Sequence, residues 1–298
     1  IKQWALLGQS FGGFCALTYL SNYPQSLSRA YITGGIPSIS RHADDVYKAT
    51  YQRVMDKMQQ FFHDFPAAQG MCNQIADYLV SNEECLPNGQ PFTVEQFQLI
   101  GINLGRSNGG LVLYYILENA FVDVNGKPEL SYSFLNRMLA EQSYLTNPIY
   151  AILHESIYCQ QDASRWSAHR VREEHPQCNY ESGEDFCFTG EMVYPWMFDQ
   201  LETLKPLKEA ADRLAEKSDW PNLYNAEQLA RNKVPVAAAV YVEDMYVEFD
   251  YSRETLAGMP NAKAWMTNEY EHNGLGMDGE RILDKLIGMA DAIEQTQR

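Results

Sequence analysis

Residues 4 to 13 constrain this chain more than any other stretch: an unbroken apolar run, Trp4-Ala5-Leu6-Leu7, ends at Gly8 and leads into Gln9-Ser10-Phe11-Gly12-Gly13. Apolar residues without alternation are the pattern of a strand covered on both faces in a parallel sheet. Phe14 to Leu20 then predicts a helix, which Tyr23-Pro24 stops, and Arg29 to Thr33 before Gly34-Gly35 predicts the next strand. Strand, tight turn, helix and strand make one unit of a parallel α/β sheet.

From about Pro37 to Asn232 helical periodicity takes over. Tyr47, Tyr51, Val54, Met55, Met58, Phe61 and Phe62 fall on one helical face. Phe134, Leu135, Met138 and Leu139 do so again after Ser131 and Ser133, and Thr93-Val-Glu-Gln96 has the form of a capping box. Cys159 to Thr189 is polar and aperiodic, which predicts a long loop segment. β-type runs resume at Val234–Val242 and Ala262–Thr267, and an amphipathic helix starts near Gly279, burying Ile282, Leu283, Leu286, Ile287, Ala290 and Ile293. The expected organisation is a sheet core from residues 1–36 and 233–298, split by a mostly helical cap over 37–232.

A chain of 298 residues with net charge −16 repels phosphate backbones, and no Lys/Arg cluster offsets that charge, so nucleic acid is not an expected partner. No apolar run approaches the ~18 residues of a membrane span, so no membrane partner is expected either. The six cysteines form no C-x-x-C pair, which argues against zinc or redox work and for a reducing, cytoplasmic setting. Their even number and the cluster from Cys159 to Cys187 leave a disulfide open. The chain opens on Ile1 rather than Met, as if it began within a domain.

Gly8-Gln9-Ser10-Phe11-Gly12 matches G-x-S-x-G, but so does Gly105-Arg106-Ser107-Asn108-Gly109. A nucleophile elbow needs a strand before the serine and a helix after it, with small flanking residues where the two pack, and only Ser10 has that setting. Gly8 and Gly12 supply the small residues; the glycines around Ser107 read as turn residues between helices. A serine hydroxyl becomes a nucleophile only when a histidine takes its proton and a carboxylate orients that histidine. In the α/β-hydrolase fold these follow in the order serine, acid, histidine, each at the carboxyl end of a strand. His272 is the one histidine late enough, since His42, His63, His154, His169 and His175 fall in the expected cap. The acid is Glu243 or Asp244 at the end of the Val234–Val242 run; adjacent residues point opposite ways, so only one can serve.

Three blocks of this sequence resemble the proline iminopeptidases, or prolyl aminopeptidases, a family of α/β-hydrolase serine peptidases: Trp4 to Leu20, Thr189 to Phe198, and Val234–Val247 taken with Asn268 to Gly274. The resemblance implies release of an N-terminal proline from peptides through an acyl-enzyme, without metal or cofactor, with Asp244 as the acid. It implies a Phe11 backbone N–H in the oxyanion hole, and Glu155 and Glu191 holding the substrate's free amine. A charged imino nitrogen buried beside an apolar ring needs such a carboxylate partner. The family also carries a His-Gly-Gly-Pro-Gly type turn upstream of the nucleophile strand, which this sequence does not contain. Other readings of the same residues are a capped esterase or broader aminopeptidase, and a degenerate hydrolase fold used for binding.

Overall fold

The computed structural model describes residues 2–297. Its strands, in chain order, are β1 Trp4–Gln9, β2 Leu27–Thr33, β3 Glu84–Cys85, β4 Pro91–Phe92, β5 Phe121–Val124, β6 Lys127–Leu130, β7 Val236–Tyr241 and β8 Ala262–Thr267. The main sheet runs β1-β2-β7-β8, all parallel, so strands from both ends of the sequence lie side by side. Register aligns Gln9 with Thr33, Thr33 with Ala239 and Tyr241 with Thr267, which brings all four carboxyl ends to one rim.

β7, Val-Ala-Ala-Ala-Val-Tyr, is buried along its whole length because both its faces are covered. Alternation decides which residue meets which cover. Val236, Ala238 and Val240 pack with Ala16, Leu17 and Leu20 of helix α1 (Phe11–Asn22), while Ala237, Ala239 and Tyr241 pack with Ile282, Leu286 and Ala290 of the helix Gly279–Gln297. β1 departs from expectation. Trp4 and Leu7 remain 44% and 45% exposed; among the described residues β1 is an edge strand, paired with β2 alone, and both its faces are less covered than those of β7.

Between β2 and β7 the chain is mainly helical, as its periodicity predicts. The longest element there, α2 (Ala43–Asp64), buries Tyr47, Tyr51, Val54 and Phe61, and His42 caps it by accepting the Asp44 N–H. Thr93 and Ser131 cap the helices Val94–Gln98 and Tyr132–Glu141 as the sequence predicts. Two features were not anticipated: the short antiparallel pairs β3/β4 and β5/β6. The second is a hairpin closed by Asn125-Gly126, both with positive φ (56° and 82°), the turn that Asn-Gly favours. The expected loop from Cys159 to Thr189 contains the helix Ser167–Arg172 and is otherwise largely irregular. In it Cys178 and Cys187 are buried free thiols with sulfurs 3.3 Å apart, in contact but unbonded.

The start of α1 is a tight junction. A Cβ on Gly13 would lie 2.1 Å from the Gly35 carbonyl oxygen, one on Gly35 2.5 Å from the Ser10 carbonyl oxygen, and one on Gly8 2.3 Å from the Gly12 carbonyl oxygen. Gly12, by contrast, has nothing within 4 Å of its Cβ position, so the small residues that this junction requires are Gly8, Gly13 and Gly35 rather than Gly8 and Gly12. Gly13→Ala and Gly35→Ala should each cost about 3 kcal/mol or more, since rigid backbone must move to admit the methyl. Gly12→Ala should leave the thermal midpoint within about a degree of wild type, and calorimetry on the three variants checks the contrast.

Candidate active site

Ser10 joins β1 to α1 with φ 54° and ψ −124°, a backbone conformation costly for any residue with a side chain. Two bonds hold it there: its N–H donates to the Thr33 carbonyl at 3.0 Å, and its carbonyl accepts the Gly13 N–H at 2.8 Å. Phe11 is the first residue of α1, so its N–H is among those with no acceptor inside the helix and lies at the positive end of the helix dipole.

Asp244 and His272 meet at the same rim. His272 Nδ1 lies 2.8 Å from Asp244 Oδ2. The other oxygen of Asp244 accepts the N–H groups of Tyr246 (2.8 Å) and Val247 (3.0 Å), so the carboxylate is fixed from both sides while only 1% exposed. Of the adjacent acidic pair, Asp244 turns inward and Glu243 stays in solvent. Gly34 and Gly35 bring the serine and the acid together. A Cβ on Gly34 would stand 3.3 Å from Asp244 Oδ2, and Gly35 lies against the Ser10 backbone. Burial, the strongest influence on His272, works to lower its pKa; the charge of Asp244 and its hydrogen bond outweigh burial, and with help from Glu191 the net shift is upward.

Glu191 accepts a hydrogen bond from the Tyr150 hydroxyl. Its charge also acts on Tyr47, Tyr144, Tyr158 and Tyr246 and on His272. Around it, backbone N–H groups of Phe188, Gly190 and Tyr194 point at the thioether sulfurs of Met58, Met192 and Met197. Glu155 is differently engaged. It is 7% exposed, and its two oxygens accept the N–H groups of Ser167 (3.1 Å) and Ala168 (2.9 Å) at the start of the helix Ser167–Arg172. Burial pushes its pKa up, and those N–H bonds oppose the rise. The structure therefore brings Glu191 toward His272 and commits Glu155 to a helix terminus. Both act on Tyr47, whose buried hydroxyl has no hydrogen-bond partner among the described residues.

Several supports were missed from sequence. Lys57 of α2 bonds Glu271, next to His272, at 2.6 Å, and Arg53, one turn earlier, bonds Glu248 near Asp244 at 2.8 Å. These are ion pairs between residues remote in sequence, and spacing alone carries no signal for them. The Gly105–Gly109 match is, as expected, a turn between helical segments, with Asn108 at φ 61°. Its Gly105 carbonyl accepts the His272 N–H at 3.2 Å.

A strained serine between strand and helix, with a buried aspartate–histidine pair at the same rim of a parallel sheet, accords with the class that the fold defines, the α/β hydrolases. Residues 1–122 match the family model described as alpha/beta hydrolase fold. The chain is 59% identical to "Proline iminopeptidase" of Aeromonas sobria over 284 residues, covering 95% of this chain and 66% of that relative. It is 31% identical to "Proline iminopeptidase aneH" of Aspergillus aculeatus, over 97% of this chain and 64% of the relative. The solved proline iminopeptidase of Mycobacterium smegmatis aligns at 11% identity and a TM-score of 0.39, covering 99% of this chain and 66% of that one. The chain belongs to the proline iminopeptidase family, and it spans about two thirds of the length of the curated relatives it matches.

The opposed influences on His272 give a direct test. Its NMR titration should have a midpoint above the ordinary value of ~6.5. In Asp244→Asn, with the charge gone and burial left in control, the midpoint should drop below that value.

Proposed function

We propose that this chain carries the catalytic centre of a serine aminopeptidase that releases N-terminal proline from peptides. The single observation that most supports it is the Asp244–His272 pair at 2.8 Å on the rim where the strained Ser10 sits. In this reading the Ser10 hydroxyl attacks the proline carbonyl while His272 Nε2 takes its proton. Asp244 holds Nδ1–H and so fixes the tautomer and stabilises the imidazolium. The Phe11 N–H donates to the oxyanion as it forms. His272 then passes the proton to the departing amine, the acyl-enzyme remains on Ser10, and water attacks by the same route in reverse to free proline.

Glu191 is the proposed partner of the protonated imino nitrogen, with Tyr47, Tyr144, Tyr150 and Tyr158 enclosing the proline ring. Glu155 assists from behind, holding the helix at Ser167 and adding negative potential. Residues 37–232 form the cap that delivers these groups, and residues 1–36 and 233–298 form the core beneath it. The scattered cysteines, with no C-x-x-C pair among them, fit a peptide-processing role in a reducing cytoplasm.

Hydrolysis of proline-β-naphthylamide by the full-length protein tests this. Ser10→Ala should abolish turnover, and undiminished activity would refute the nucleophile. Glu191→Gln should lower kcat/KM for substrates with a free N-terminal proline about 10- to 100-fold, as expected for losing a charged hydrogen bond. Because His272 must be neutral to accept a proton, kcat/KM should fall as pH drops, with its midpoint above ~6.5.

A further inference from the structure

The turn at Gly105–Gly109, unused by the chemistry, makes a dense set of contacts with the His272 loop. The His272 N–H donates to the Gly105 carbonyl at 3.2 Å, and the Ser107 N–H donates to Asn273 Oδ1 at 2.8 Å. Tyr246 presents its ring to the His272 imidazole at 4.7 Å and 77°, while its hydroxyl donates to the Ile102 carbonyl. There is no slack between them: a Cβ on Gly105 would lie 2.5 Å from the Tyr246 ring. At its other end the same segment grips the chain that leads to Glu191. The Thr189 N–H donates to the Gln98 carbonyl at 3.0 Å, and a Cβ on Gly101 would lie 2.2 Å from the Thr189 carbonyl oxygen.

We propose that residues 98–109 are a strut that holds His272 and the Glu191 segment in fixed relation, with Asn273 and Tyr246 as positioning residues for the histidine. This rests on the reading of Ser10, Asp244 and His272 as a triad. Neither Asn273 nor Tyr246 touches the reacting atoms in that mechanism. Asn273 acts by clamping the turn to the residue after the histidine, and Tyr246 by packing on the ring while anchored to Ile102. A base displaced by a fraction of an ångström loses rate without losing substrate affinity.

The experiment measures kcat and KM separately for full-length Asn273→Ala, Asn273→Asp and Tyr246→Phe, with Ser10→Ala alongside. Asn273→Ala should lower kcat about ten-fold, the size of one lost hydrogen bond, with KM within about two-fold of wild type. Asn273→Asp, which keeps an acceptor for the Ser107 N–H, should recover most of that loss. Tyr246→Phe, which removes the hydroxyl that ties this ring to Ile102 and Arg106 of the strut, should lower kcat about three-fold or more. If Asn273→Ala fails to fold by circular dichroism, Tyr246→Phe decides. Wild-type kcat in the folded variants, a change confined to KM, or no recovery in Asn273→Asp would overturn the strut while an inactive Ser10→Ala leaves the triad standing. Activity retained in Ser10→Ala would remove the triad, and the strut with it.

Discussion

Backbone pressed against backbone at Gly13, Gly35 and Ser10 is the contact on which the rest of the site depends. The parallel sheet brings β1 and β2 side by side, and the helix after Ser10 must start within van der Waals range of the turn after β2. Only glycine permits that approach. Once made, it leaves Ser10 with a positive φ and turns the carboxyl end of β1 into a platform facing Gly34 and Asp244. The strain at one serine is thus sustained by the packing of two strands and a helix, which is how local distortion survives in a folded protein.

The long helix α2 braces the same rim from the other side. Arg53 and Lys57 are one turn apart, and each reaches across to a carboxylate flanking the acid or the histidine. The pairs are partly shielded from solvent, so salt screens them less than it would a surface bridge. In a chain of net charge −16, using two cations there also offsets the repulsion among Glu243, Asp244, Glu248 and Glu271.

Much of this was legible in the residues, because the strongest signals are local. The run ending at Gly8, the β-type runs at 234–242 and 262–267 and the capping residues Thr93 and Ser131 each declare themselves within a few positions, and the observed elements follow them to within a few residues. The Asn125-Gly126 hairpin carried an equally local signal that the surrounding helical periodicity masked. The choice of glycine was legible only in part. Gly12 completes the five-residue pattern, yet the contacts fall on Gly13 and on Gly35, which belongs to a different strand's turn. Glu155 shows the same limit: a glutamate among aromatics reads as a binding group, and the helix terminus that takes up its oxygens is visible only in three dimensions.

The methionines around Glu191 give the site two mechanical characters. At the elbow, backbone carbonyls hold Ser10, and they are strong, directional acceptors. Along Phe188, Gly190 and Tyr194 the N–H groups face thioether sulfurs, which are weak acceptors on flexible, polarizable side chains. At these three N–H groups a small displacement costs little, while the Thr189 N–H between them, bonded to the Gln98 carbonyl, keeps the segment tied to residues 98–109. Stiffness is therefore graded across a few residues, greatest at the Ser10 backbone and at Thr189 and least at the three N–H groups that face sulfur.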